Sequence, residues 1–191
     1  VTIGPIDPVE IEPVIEETTV DFGDDYFFDA ENNPIDLNNT VVDNNIYVCI
    51  DNTTDEENPA GYYDADEQCI VINETTSGEQ METVVSNEPG TQGVTGNYTG
   101  LIIQVPAGQG TVTVQVQTNG DSYVAVQVGD EQPTTEQSST RSDVPVNYDV
   151  TEDTYVYIYA TNNSTASGSR AQLLDLRKGP KYAPSVRAPQ K

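Results

Sequence analysis

No histidine and no tryptophan occur among the 191 residues, and there is one methionine, Met81. Without histidine, the usual triads and the side chain that titrates near neutral pH are missing. Without tryptophan, the indole platform that most readily stacks on a sugar is missing too. Basic residues are scarce: seven Lys and Arg stand against 32 acids, for a formal charge of −25. Nucleic acid is excluded as a partner, because phosphate neutralisation needs clustered Lys and Arg. No apolar run approaches the roughly 20 residues that cross a bilayer as a helix, so membrane insertion is not expected. The two cysteines, Cys49 and Cys69, cannot form a standard zinc site without histidine. Glycine-rich phosphate loops are also absent. Paired carboxylates could still hydrolyse a glycoside, but with 32 acids a close pair is expected by chance. The chain is therefore read as not an enzyme.

What fills the sequence is Thr, Asn, Gln, Ser and Gly, with Val and Tyr, a mixture that favours strands and turns. Charge divides the chain unevenly. Residues 1–169 hold 31 of the acids and one base, Arg141. The last 22 residues hold Arg170, Arg177, Lys178, Lys181, Arg187 and Lys191 against Asp175 alone.

Three segments follow. Residues 1–17 carry Pro5, Pro8 and Pro13, which exclude a helix or a central strand and leave an extended arm. Residues 18–168 read as one β-domain. Residues 169–191 read as a basic, proline-containing tail. The first residue, Val1, fits a removed leader or a piece of a longer protein.

Within the domain, 46–50, 69–73, 100–105, 111–118, 122–128, 144–148 and 154–160 read as strands. The 111–118 run alternates Val112, Val114 and Val116 with Thr and Gln, the period of a strand with one buried face. Asn119-Gly120 predicts a two-residue hairpin to the return strand. The 100–105 run is apolar on both faces and should be central. Ser77 and Gln80 fit the capping box of one short helix. About eight short strands describe an all-β, antiparallel two-sheet sandwich, jelly-roll-like, with extended arms at both ends.

The segments TTVDFGDDYF, DLNNTVVDNNIY, GYYDADEQCIVIN, TSGEQMETV, YTGLIIQVPAGQGTVTVQVQT and DVTEDTYVYIYA span residues 18–160. In that order they resemble the C-terminal β-sandwich module of secreted Bacteroidales surface proteins, often found beside adhesin-like leucine-rich repeats. The resemblance implies an exported, cell-surface location and a role in adhesion. It implies no catalytic residues. The basic tail departs from the pattern.

Candidate sites are few. Cys49 and Cys69 would form one disulfide in an extracellular protein; the other reading is two small hydrophobes in the core. Asp55, Glu57, Asp64 and Asp66 crowd the loop between them, and Ca²⁺ takes six to eight such oxygens. A solvated acidic loop is the alternative, and no other cofactor is expected. Tyr155, Tyr157 and Tyr159 share one face of a strand, where they could stack on a sugar or pack against a covering segment. Arg170, Arg177, Lys178, Lys181 and Arg187 could dock on an acidic neighbour. The leading expectation is a non-catalytic exported module, a subunit of an extracellular assembly joined to protein partners or copies of itself through its arms. The alternative is an adhesin-type domain for carbohydrate or host protein.

Overall fold

A computed structural model describes residues 4, 18–21, 31, 40–43, 46–49, 60–73, 75–76, 81, 85, 98–162 and 171–179. Twelve strands run through them: β1 Thr18–Asp21, β2 Thr40–Asp43, β3 Ile46–Cys49, β4 Gly61–Asp64, β5 Cys69–Ile72, β6 Gly100–Val105, β7 Gly108–Thr118, β8 Ser122–Val128, β9 Thr134–Glu136, β10 Ser142–Val150, β11 Thr154–Asn162 and β12 Ala171–Gly179. All pairings are antiparallel. One sheet has the order β10-β7-β12-β5-β4, with β1 also paired to β12; the other has the order β2-β3-β6-β11-β8-β9. The fold is the all-β two-sheet sandwich that the alternation predicts.

Valine alternation explains how the sheets face each other. Val112, Val114 and Val116 of β7 and Val124, Val126 and Val128 of β8 all lie in the central core. So do Ile46, Val48, Leu101, Ile103, Val156 and Ile158. Successive side chains of a strand point to opposite faces, so these positions fix one inner face on each sheet. β6 is central as expected: it lies between β3 and β11, with Leu101 and Ile103 inward and Ile102 in a second cluster on the outer face.

Asn119-Gly120 does not close a hairpin. β7 belongs to one sheet and β8 to the other, so the turn crosses the sandwich. Both edges of β7 are taken by β10 and β12, and both edges of β8 by β11 and β9. Stacking the two valine rows across the core buries them from both sides, which pairing within one sheet would not. The turn still uses glycine's freedom, with Gly120 at φ 63°. It is secured from the neighbouring loop, where Gln137 Nε2 donates to Gly120 O at 3.0 Å and Thr118 N to Ser138 O at 2.7 Å.

Charge also misplaces the C-terminal boundary. The segment read as a tail from residue 169 contains β12, an internal strand between β7 on one side and β5 and β1 on the other. Its register shifts between Leu173 and Asp175, near where its neighbour changes from β5 to β1. The domain thus reaches Gly179. Apart from Gly4, the arm at 1–17 lies outside the described residues, as do 180–191. Of the predicted helix, Met81 and Val85 have helical backbone and the other capping and helix positions lie outside the described residues. Among the described residues, no helix is long and apolar enough to cross a membrane.

Candidate functional site

The outer face of the β6-β11-β8 sheet carries the features that matter most. Tyr157 and Tyr159 do project there, opposite Val156 and Ile158, as the alternation predicts. They do not form an open platform. Tyr157 is 1% exposed and Tyr159 5%. Tyr98 sits against both, edge-on, with ring centroids 6.2 Å from Tyr157 and 6.1 Å from Tyr159. Met81 and Val85, four residues apart and so on one side of a helical turn, pack into the same cluster. The row is therefore mainly a second, smaller core, and only Tyr155 stays half-exposed.

Tyr98 anchors this layer. Its hydroxyl lies 2.6 Å from Leu101 O and 2.7 Å from Ile158 O, sharing its proton between carbonyls of β6 and β11. Sequence reading gave Tyr98 no role, since residues 91–100 read as a glycine-rich turn region that contains it. The one signal was an aromatic directly before a two-sided apolar strand.

Burial raises the phenol pKa of Tyr98, Tyr148, Tyr157 and Tyr159, because the phenolate loses its hydration. Tyr157 is pushed up to about 12 from 10.0. A raised folded-state value means that the native state holds the proton longer than the unfolded chain. This contribution is complete below about pH 10 and is lost as pH rises through the folded values, at up to ~1.4 kcal/mol per pH unit for each group. The urea midpoint should thus be flat from neutrality to about pH 10 and fall steeply above it, while phenolate absorbance lags behind that of free tyrosine. A midpoint unchanged well above the free-tyrosine value would contradict the buried phenols.

Beside this layer the same face opens into a cleft of about 550 Å³. Its floor is Tyr159 and Gln127, its far end Thr76 and Thr161. One wall is Met81 and Val85; the other is the β8–β9 connection, with Asp130, Glu131, Gln132 and Pro133, and then Thr135. The floor is pre-set: Tyr159 Oη donates to Gln127 Oε1 at 2.8 Å, and Gln127 Nε2 donates to Gly129 O at 3.0 Å. The wall loop is fixed where it leaves β8, since Gly129 N donates to Tyr155 O at 2.9 Å and Glu131 N to Val128 O at 3.0 Å. Thr76 N donates to Ala160 O at 2.8 Å, which holds the other side.

The remaining predicted sites fare differently. Cys49 and Cys69 are buried thiols, and the expected disulfide between them is absent. Cys49 follows the inward Val48 and so lies on the outer face of one sheet, clustered with Tyr98. Cys69 precedes the inward Ile70 and lies on the outer face of the other, with Val71. A full sandwich stands between them, far beyond the roughly 7 Å a disulfide can span between Cα atoms.

In the acidic loop, Asp55 and Glu57 lie outside the described residues. Asp64 and Asp66 belong to the β4–β5 turn, where Asp64 Oδ1 accepts the N–H groups of Asp66 and Glu67, both at 3.1 Å. That bonding accounts for Asp64 as a turn former. Among the described residues, no group of three or more His, Cys, Asp or Glu is placed to hold a metal ion.

Of the basic residues, Arg170, Lys181 and Arg187 lie outside the described residues. Lys178 is half-buried in β12, in register with Val112 and Thr18. Arg177 docks on an acid of its own domain, with Nη2 2.8 Å from Asp143 Oδ2. Both partners are partly exposed, so the pair is worth at most ~1 kcal/mol. It belongs to a polar ladder on the outer face of the β10-β7-β12 sheet. There Gln115 Nε2 donates to Asp143 at 3.2 Å, Gln109 Nε2 to Asp149 at 3.0 Å, and Thr111 Oγ1 to Asn147 at 2.8 Å.

No family model and no curated protein matches the sequence. Similar solved structures include a family two carbohydrate esterase from Cellvibrio japonicus, at 14% identity and TM-score 0.44, covering 93% of this chain. The chain spans only 38% of that esterase's length. The apo CBM1 module of BiXyn10A matches at 10% identity and TM-score 0.46, covering 88% of this chain and 99% of the module. A CBM22-1 xylan-binding domain from Paenibacillus barcinonensis matches at 8% identity and TM-score 0.43, covering 88% of this chain and 97% of the domain. At such identities and scores, nothing these neighbours bind or cleave transfers to this chain.

Proposed function

We propose that the chain is a non-catalytic, exported binding module that holds a glycan in the cleft between β8, β9, β11 and the segment carrying Met81 and Val85. The observation that carries this reading is the lining of the cleft. Met81, Val85, Pro133 and the edge of Tyr159 offer apolar surface, while Gln132, Thr76, Thr135 and Thr161 offer hydroxyls and an amide on the same walls. A sugar ring has that same division, with C–H faces and hydroxyl edges. The volume falls in the range of small-ligand sites, and the floor is rigid before any ligand arrives. Export to a cell surface follows the resemblance to Bacteroidales surface modules. Protein partners and self-association through the arms become the second reading. It is weaker because Arg177 and Lys178 are built into the domain.

The test is calorimetric titration with a panel of soluble oligosaccharides. Thr135 is exposed on a short edge strand, so Thr135→Trp fills the cleft without touching the core. It should weaken binding at least tenfold, ~1.4 kcal/mol, with an unchanged melting temperature. A panel with no binder, or a Thr135→Trp variant that binds as the native chain does, defeats the proposal. For the second reading, a truncation should remove only residues 180–191, since cutting at 170 would take β12 with it.

A further inference from the structure

We infer that the cleft selects glycans bearing a charged amine, such as oligomers of glucosamine, over neutral and acidic ones; this rests on the glycan reading above. The inference comes from the balance of groups that line the cleft. Two carboxylates, Asp130 and Glu131, stand on one wall, and among the described residues no Lys or Arg lines the cleft. Both acids are exposed to solvent and thus open to a ligand. Gln127, the polar group of the floor, has its carbonyl taken by Tyr159 and its amide nitrogen by Gly129 O. The Gln132 amide and the Thr76, Thr135 and Thr161 hydroxyls can each donate as well as accept, so the bias comes from the two carboxylates, which only accept and carry negative charge. An ammonium answers that balance, with three donors, one positive charge and no acceptor. A uronate or sulfate meets the reverse: two like charges nearby.

The position of the acids adds a geometric reason. Gly129, at φ 55°, turns the chain sharply after β8, and its N–H and that of Glu131 are bonded back to Tyr155 and Val128. Asp130 and Glu131 therefore sit on a fixed turn opposite Met81 and Val85. A sugar lying with its C–H face on the apolar wall would present its ring substituents to the acids. At hydrogen-bond range and partial exposure, one such charge pair is of a size to change affinity by roughly tenfold. The chain's net charge of −25 adds a longer-range attraction for cations, which salt screens and which has no preference for the cleft.

The test compares glucosamine oligomers, their N-acetylated counterparts, cello-oligosaccharides and oligogalacturonate of matched length. It is run at mildly acidic pH, where the amine is charged. The native chain should bind the glucosamine series roughly tenfold tighter than the neutral series and oligogalacturonate least. The double variant Asp130→Asn/Glu131→Gln should abolish the preference, so that the glucosamine series binds that variant no tighter than the neutral series does. The charge-matched control Asp66→Asn/Glu152→Gln, outside the cleft, should keep the preference. Equal affinity for amine and neutral oligomers in the native chain overturns the inference and leaves the glycan reading standing. A preference that survives Asp130→Asn/Glu131→Gln assigns it to the general acidic surface and also overturns it. Failure of every oligomer to bind removes both readings.

Discussion

Gly100→Ala is expected to cost the domain ~3 kcal/mol or more, a fall of roughly 6–12 °C in melting temperature. Two effects add at this position. The backbone sits at φ 157°, where an L side chain is strained. A Cβ there would also run into Ile158 O, a main-chain atom, and lie 2.8 Å from Tyr98 Oη. Ile158 is fully buried in the middle of its sheet, paired with Leu101 on one side and Val126 on the other. It cannot yield without opening the ladder. Gly108→Ala separates the two effects. Gly108 has φ 124° but nothing within 4 Å of its added Cβ, so it should lose only the strain term, ~1 kcal/mol. Thermal melts of the two variants decide the matter: equal losses would mean that the approach of β6 to Ile158 does not matter.

Why glycine is needed at 100 was not legible from sequence, although the strand it opens was. The 100–105, 111–118, 122–128 and 154–160 runs could be read because each has a two-residue period or an apolar run of strand length. Those cues are local. What failed was non-local. Asn119-Gly120 marks a turn correctly, but a turn does not say whether the strands beside it pair or stack. That depends on which neighbours occupy their edges. The 171–179 strand was read as tail because its charge contrasts with the body. Its pairing with β7, β5 and β1 involves residues from 18 to 118 in the sequence, beyond any local window. The cysteines were a missed inference. Val48 and Ile70 are inward, so parity alone sends Cys49 and Cys69 to outer faces. The tyrosine row was legible as a row, and its burial under Tyr98 and Met81 was not. Nothing in a strand's own alternation reports a segment that crosses over it. The cleft was missed for the same reason, since its walls come from three distant stretches of chain.

Tyr98→Ala should be the most damaging single side-chain truncation, at ~3–5 kcal/mol. Tyr98 is 1% exposed, edge-on to Tyr157 and Tyr159, and its hydroxyl ties β6 to β11 through Leu101 O and Ile158 O. Tyr98→Phe keeps the ring and removes the hydroxyl, so it should cost only ~1–2 kcal/mol. Urea unfolding of the two variants divides packing from hydrogen bonding. A second readout ties the residue to the outer layer itself. Tyr98 helps keep Tyr157 out of water, and burial is the main reason that phenol is pushed up to about 12. In Tyr98→Ala, hydration of the opened space should bring Tyr157 down toward 10, while Tyr98→Phe leaves it high. Difference titration at the phenolate band, against the same variants carrying Tyr157→Phe, follows that one group. If both variants lose the same stability and Tyr157 titrates unchanged in Tyr98→Ala, Tyr98 neither packs nor shields as described. The cleft wall formed by Met81 and Val85 shares this cluster with Tyr98. A real loss at Tyr98 should therefore also weaken ligand capture in the cleft, and a folded Tyr98→Phe should not.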